Sequence, residues 1–282
     1  MTAAHPASES VAATIWRRSG AVEASRVVAV ETAVAITYGG STQAVLMASP
    51  ADLEDFAIGF TLTEGIAGLP AIESVERIDG ELGIEMRVTL ARQPSERLAA
   101  RRRAMAGPVG CGLCGIESLE EAVRPLPLNS SEASFAPDAI LAAIGALAPL
   151  QALNAETRAV HAAAFWQPGE GVRLVREDVG RHNALDKLAG AIARSGLDAA
   201  SGAVLLTSRV SVEMVQKTAA IGAPLIVAVS APTSLAIRAA AEAGITLVAV
   251  ARADGFEVFT HGERLGLAPP LPSKREAARD VA

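Results

Sequence analysis

Two cysteines stand in a chain of 282 residues, three positions apart in Gly110-Cys111-Gly112-Leu113-Cys114-Gly115. Four chemistries use such a pair. A closed structural zinc site needs four ligands, and only His161, His182 and His261 lie downstream to complete one, none at metal-ligand spacing to the pair. A dithiol–disulfide shuttle places its cysteines at a helix N-terminus after a strand, which lowers the thiolate pKa. Here glycines flank the pair on both sides. A persulfide carrier needs an exposed nucleophile on a tether that reaches two partners in turn, and Ala106–Gly115, with four glycines and a proline, has that composition. Two inert core cysteines are the fourth possibility, against which the loop composition argues.

A second polar concentration lies at the ends of predicted strands. Asp178–Asn183, Thr207–Ser211 and Ser230–Thr233 each follow an apolar run and open a helix. Helix N-termini present free N–H groups and a positive dipole end, which suit phosphate. Ser211 and Thr233 are adequately explained as helix caps. Arg181, His182, Asn183 and Arg209 exceed what capping requires, and they are candidate pocket residues for an anionic ligand.

The cysteine motif resembles the signature of the FdhD family, the formate dehydrogenase accessory sulfurtransferases. Glu177-Asp178-Val179-Gly180-Arg181-His182-Asn183-Ala184-Leu185-Asp186-Lys187 is similar to a second signature of that family. Thr207-Ser208-Arg209, the run Lys217–Pro224, Ser230–Thr233 and the Ser49–Ile66 helix extend the resemblance over about residues 21–265. The resemblance implies a sulfur relay: a cysteine desulfurase loads the chain, which delivers sulfur to the molybdenum (or tungsten) bis(molybdopterin guanine dinucleotide) cofactor of formate dehydrogenase. It maps the persulfide-bearing cysteine onto Cys111 and the second of the pair onto Cys114. It maps the cofactor-binding segment onto Val250, Ala251, Arg252, Ala253, Asp254 and Gly255. The family pattern there is closer to Arg-x-Gly-Arg, so Asp254-Gly255 removes one cation and adds an acid. Arg264 can compensate, and Ala253-Asp254-Gly255 also suits an ordinary hairpin turn. A homodimer is a further implication of the resemblance. The competing classes are a cofactor chaperone without sulfur chemistry and a dithiol oxidoreductase.

The elements that must position these groups follow from pattern. The composition is half apolar with 3% aromatic residues, so alanine, valine, leucine and glycine do the packing, as where helices lie on sheets. Strands are predicted at 27–30, 33–38, 44–47, 74–78 and 83–90. Ser49 is the expected N-cap of a helix that ends at Gly65. Gly39-Gly40 and Asp79-Gly80 are the expected turns. From about residue 132 helices and strands alternate: helices at 136–148, 183–193, 212–221 and 234–243, strands at 160–165, 171–176, 203–207, 225–229, 246–250 and 256–260. The expected organisation is a tail at 1–20, an α+β domain at 21–103, a mobile cysteine-bearing loop and linker at 104–131, an α/β domain at 132–265 and a tail at 266–282. The order of elements in the last domain resembles the three-layer, mixed-sheet cytidine-deaminase-like fold. Deaminase chemistry is not expected, because His182-Asn183-Ala184 lacks the Glu of H-x-E and Ser208–Ser211 lacks cysteine.

The net charge is −6 and Arg101-Arg102-Arg103 is the one dense basic run, so no nucleic-acid face is expected. No run reaches the roughly 20 uncharged apolar residues of a membrane span. The polar start lacks the pattern of a secretory signal, which places the expected site of action in the cytosol. A resident metal, zinc included, is not expected.

Overall fold

The computed structural model describes residues 5–95 and 126–267. Cys111, Cys114 and most of the 104–131 loop lie outside the described residues, as does the tail beyond 267. The described chain forms three sheets. The order of the strands is β1 (Ser8–Arg17), β2 (Gly20–Ala29), β3 (Thr32–Tyr38), β4 (Ser41–Ala48), β5 (Ile72–Gly80), β6 (Gly83–Leu90), β7 (His161–Gln167), β8 (Gly171–Asp178), β9 (Ala203–Leu206), β10 (Leu225–Ala228), β11 (Thr246–Arg252) and β12 (Gly255–Thr260). The helices are α1 (Leu53–Thr63), α2 (Pro137–Leu147), α3 (Ala152–Thr157), α4 (Arg181–Ser195), α5 (Val212–Ile221) and α6 (Ser234–Glu242).

The N-terminal sheet has the order β4-β3-β6-β5. Its inner face buries Val34, Ile36, Ile84, Met86 and Val88 against Leu53, Phe56 and Phe60 of α1. Gly39 and Gly40 both take positive φ, as the two-residue turn between β3 and β4 demands. The β5–β6 turn falls two residues later than expected: Gly80 pairs with Gly83, so Glu81-Leu82 makes the turn and Asp79-Gly80 ends the strand.

The second sheet has the order β12-β11-β10-β9-β7-β8. Strands β9, β10 and β11 are parallel, and β7, β8 and β12 are antiparallel to their neighbours. Leu185, Leu188, Met214, Val215, Ala236 and Ala240 of α4, α5 and α6 cover one face. Ile140, Ala143 and Leu147 of α2 cover the other. The result is the expected three-layer α/β arrangement with a mixed sheet, because strands buried on both faces need helices on both.

Three expectations change. Residues 8–17, read as part of a tail, form β1, which pairs with β2 through the full hairpin from Ser8↔Ala29 to Arg17↔Gly20. Most of its side chains are exposed, Trp16 at 74%, so neither face carries the period-two burial that marks a strand. Ser49 is not the N-cap of α1. That position falls to Asp52, in left-handed conformation at φ 53°, with no side-chain cap. Ser49 is buried and held elsewhere, as described below. Finally, residues 126–131 of the expected linker are tied to the α/β domain: Asn129 N–H donates to Ala243 O at 2.8 Å and its amide to Gly222 O at 2.9 Å.

The two halves meet where α1 crosses α4. Gly59 and Gly190 face the opposite helix backbone, and a Cβ on Gly59 would lie 1.7 Å from Asp186 O. Both glycines are there for close approach rather than for a turn.

Candidate functional site

The three strand-to-helix junctions singled out in the sequence, and the β11–β12 hairpin, share one edge of the large sheet. Hydrogen bonds tie the second and third junctions and the hairpin to one another. Ser230 Oγ donates to Thr207 O at 3.3 Å. Val210 N–H donates to Ala231 O at 3.3 Å, and Thr233 N–H to Val210 O at 2.9 Å. Val250 N–H donates to Ser230 O at 3.3 Å. This edge is where open α/β sheets bind ligands, outside the carboxyl ends of parallel strands.

Arg181 and His182 open α4, and Ser211 and Glu213 stand at the start of α5. The Arg181 Nε and His182 Nε2 atoms are buried without a hydrogen-bond partner among the described residues. Glu213 Oε2 is 4.0 Å from His182 Nε2, outside hydrogen-bond reach. Arg209 is exposed between β9 and α5. Burial, together with the Arg181 and Lys217 charges, pulls the His182 pKa below its ordinary value of 6.5 despite Glu213 and Glu64. His161 at the head of β7 is lowered too, by burial and then by Arg181. Both imidazoles are therefore favoured neutral in the folded chain. A histidine whose folded pKa is depressed contributes stability that is present above about 6.5 and is lost as pH falls. Stability should accordingly decline below pH 6.5. His182→Gln should flatten part of that decline in chemical melts at pH 7.0 and 5.5. An unchanged slope would exclude His182 as a contributor.

The N-terminal half sets the posture of the Asp178–Asn183 turn. Asp178 and Lys187 are fully buried and 2.6 Å apart. Asp178 Oδ1 accepts Gly180 N–H at 2.8 Å and the Asn183 amide at 3.0 Å. Asp178 Oδ2 accepts Ser49 N–H at 3.0 Å. Lys187 Nζ donates to Ser49 O at 2.9 Å, and Val179 N–H to Ser49 Oγ at 3.2 Å. This explains the missing cap: every polar group of Ser49 is used across the junction of the two halves. Burial pulls the Lys187 pKa down, against the pull of the Asp178 carboxylate. One turn on, Lys217 Nζ bonds Asp186 at 2.8 Å and Glu64 at 2.7 Å, and Thr63 Oγ1 donates to Asp186 at 2.6 Å. Facing two carboxylates, Lys217 is held charged even though buried.

Not every predicted residue faces the shelf. Asn183 is buried, and its amide nitrogen donates to Met47 O at 2.8 Å as well as to Asp178. It braces the turn against the N-terminal sheet. In the hairpin, Val250 has φ 53° at an irregularity between Ala249 and Arg252. A β-branched residue in that region is uncommon, and the distortion bends the strand end toward Ser230. Ala251 is buried, while Arg252, Ala253 and Asp254 are exposed and Gly255 is half-buried. The Arg252 guanidinium donates to Val229 O and to Ala251 O, which fixes it over the end of β10. Arg264 is spent on carbonyls: Gly244 O at 2.8 Å and Ser131 O at 3.1 Å. It is therefore placed to hold residues 131 and 244 rather than to replace a phosphate contact. Reasoning from sequence overlooked Ser49, Asp178 and Lys187 as a unit. The nine-residue gap from Asp178 to Lys187 was the available signal, but the third member lies 129 residues upstream of Asp178.

The fold and the shelf define a two-part α/β protein whose ligand edge is braced from its N-terminal half. The family model described as FdhD/NarQ matches residues 29–266, and the chain belongs to that family. Among its relatives is the sulfur carrier protein FdhD of Agrobacterium fabrum, 55% identical over 257 residues, covering 90% of this chain and 95% of the relative. The sulfur carrier protein FdhD of Cupriavidus necator is 51% identical over 262 residues, covering 92% and 91%. Among solved structures, a formate dehydrogenase accessory protein from Desulfotalea psychrophila superposes with a TM-score of 0.73 at 28% identity, covering 92% of this chain and all of that one. No helix among the described residues is long and apolar enough to cross a membrane.

Proposed function

We propose that this chain is a sulfurtransferase of the cytosol that carries sulfur, as a persulfide on Cys111, from a cysteine desulfurase to the Mo-bis(molybdopterin guanine dinucleotide) cofactor of a formate dehydrogenase. The relatives' names support the carrier role. The observation that carries the acceptor is a pair of polar atoms buried without a partner among the described residues, the Arg181 Nε donor and the His182 Nε2 ring nitrogen, at a shelf made by two helix N-termini. Such a shelf suits the phosphates of a large anionic cofactor, with Arg209 and the β11–β12 hairpin beside it.

In loading, the Cys111 thiolate attacks the terminal sulfur of the desulfurase persulfide. A new S–S bond forms on Cys111 and the desulfurase thiolate leaves. For delivery as sulfide, the Cys114 thiolate attacks Cys111 Sγ. The terminal sulfur departs with the electron pair, a Cys111–Cys114 disulfide remains, and a cellular thiol reductant restores the dithiol. The chain's own share at the shelf is to bind and orient the acceptor.

Intact mass spectrometry after incubation with a cysteine desulfurase and cysteine tests the loading step. The expected result is the added mass of one sulfur on the wild-type chain and none on Cys111→Ala. Persistent loading on Cys114 alone would overturn the roles given to the two cysteines. Formate dehydrogenase that matures normally with Cys111→Ala would favour a chaperone that only binds and hands over the cofactor.

A further inference from the structure

A groove of about 630 Å³ lies at the seam between the two halves of the chain. Leu62 and Ile66 line it from the N-terminal half, and Ile192, Ala193, Leu197 and Ile221 from the α/β half. Ile66 belongs to the margin of the N-terminal core, and Leu197 and Ile221 to the margin of the α/β core. Among the described residues no Asp, Glu, Lys or Arg lines the groove, and the Thr63 hydroxyl that does is spent on Asp186. An uncharged, mostly apolar groove suits apolar side chains, not a large anion.

The points where the chain leaves and rejoins the described residues indicate the occupant. Pro94 lines the groove, and the described N-terminal half ends one residue later, at Ser95. The described chain resumes at Leu126, which packs on the α/β core. Three residues on, the Asn129 amide donates to Gly222 O at 2.9 Å, next to the wall residue Ile221. The 30 residues from 96 to 125 therefore start and finish beside the same groove.

Their side chains single out one stretch. Residues 96–105 carry Arg97, Arg101, Arg102 and Arg103, for which the groove has no counter-charge. Residues 106–115 hold the cysteine pair and the glycines, with only Val109 and Leu113 as larger apolar side chains. Residues 116–123 differ from both. Ile116, Leu119 and Val123 recur at i, i+3 and i+7, the spacing of one helix face, and Glu117, Glu120 and Glu121 fall away from that stripe.

We infer that residues 116–123 dock in this groove through Ile116, Leu119 and Val123 and so cover the seam between the two halves. The inference does not depend on the sulfur reading; it gives the cysteine pair an anchor. Cys114 precedes Ile116 by two residues and Cys111 by five, so an extended chain lets them stand about 7 Å and about 17 Å from the anchored residue. Cys111 has the longer reach of the two.

Limited proteolysis of the full chain tests the docking, with a glutamate-specific protease read at Glu117 and trypsin read at Arg101–Arg103 as the control. Cleavage within a docked stretch follows the population of its open form. Val123→Ser removes one apolar contact while leaving the sequence around Glu117 and the described core unaltered. Ala193→Glu places a charge in the groove wall. Burial of one such side chain exceeds the free energy of a tenfold change in population, so each variant should speed cleavage at Glu117 at least about tenfold. Cleavage at Arg101–Arg103 should be the same in all three proteins. A wild-type chain cut at Glu117 as fast as Val123→Ser would overturn the inference. Protection lost in Val123→Ser but kept in Ala193→Glu would also overturn it, by placing the stretch elsewhere. Wild-type protection that disappears on dilution would give the groove to a second copy of the chain instead.

Discussion

Lys187→Met should lower stability by about 3–5 kcal/mol, the cost of leaving a buried carboxylate without its cation. Lys187 is fully buried 2.6 Å from Asp178, which is equally buried. Methionine fills similar volume, so lost packing is small and the effect is mainly electrostatic. The remaining donors to Asp178, from Ser49, Gly180 and Asn183, are neutral and offset only part of the lost charge. The paired change Asp178→Asn with Lys187→Met removes both charges, and it should be far milder than the sum of the two single changes. Urea melts of the four proteins give the coupling directly. Additive losses would show that the pair is not the unit described here. Because Asp178 also holds the turn that presents Arg181 and His182, Lys187→Met should weaken binding of the acceptor at denaturant-free stability where the chain is still folded.

The second large effect is steric. Gly190→Ala places a Cβ 2.0 Å from Asp55 O and 2.7 Å from its carbonyl carbon. These are backbone atoms of α1 and cannot rotate away, so the helices must separate. Forced overpacking costs about 1–3 kcal/mol and more where backbone must shift, and here the shift strains Asp55, which accepts from both Arg176 and Arg194. Gly59→Ala should behave alike, its Cβ meeting Asp186 O. Gly145→Ala in α2 is the control. Nothing lies within 4 Å of its added Cβ, so it should stabilise by roughly 0.5–1 kcal/mol through backbone entropy. Thermal melts that place Gly190→Ala beside Gly145→Ala would exclude the close crossing of α1 and α4.

Much of the α/β half was legible in the chain because local chemistry and global fold agree there. The helix at 212–221 and the strand at 83–90 have the expected bounds. Apolar runs of β-strand residues alternate with amphipathic stretches, and Gly196 and Gly222, both at positive φ, end two helices as glycine does. The β1–β2 hairpin was not legible, since a ribbon exposed on both faces leaves no periodic trace. Ser49 misled for a related reason: its type and spacing suit a cap, but a contact 129 residues away claimed its groups first.

The sequence by itself determined the types of chemistry on offer: a cysteine pair among glycines, and polar strand-to-helix junctions with Arg181, His182 and Arg209. These are local, because nucleophilicity, turn chemistry and helix capping depend on neighbours in the chain. Only the tertiary structure decided which polar residues are free. It spent Asn183 and Arg264 on bracing, fixed Arg252 over β10, and left Arg181 Nε and His182 Nε2 buried without a partner among the described residues. Hydrogen-bond satisfaction is a property of the packed chain, where partners come from any distance in sequence. It therefore cannot be read from residue types alone.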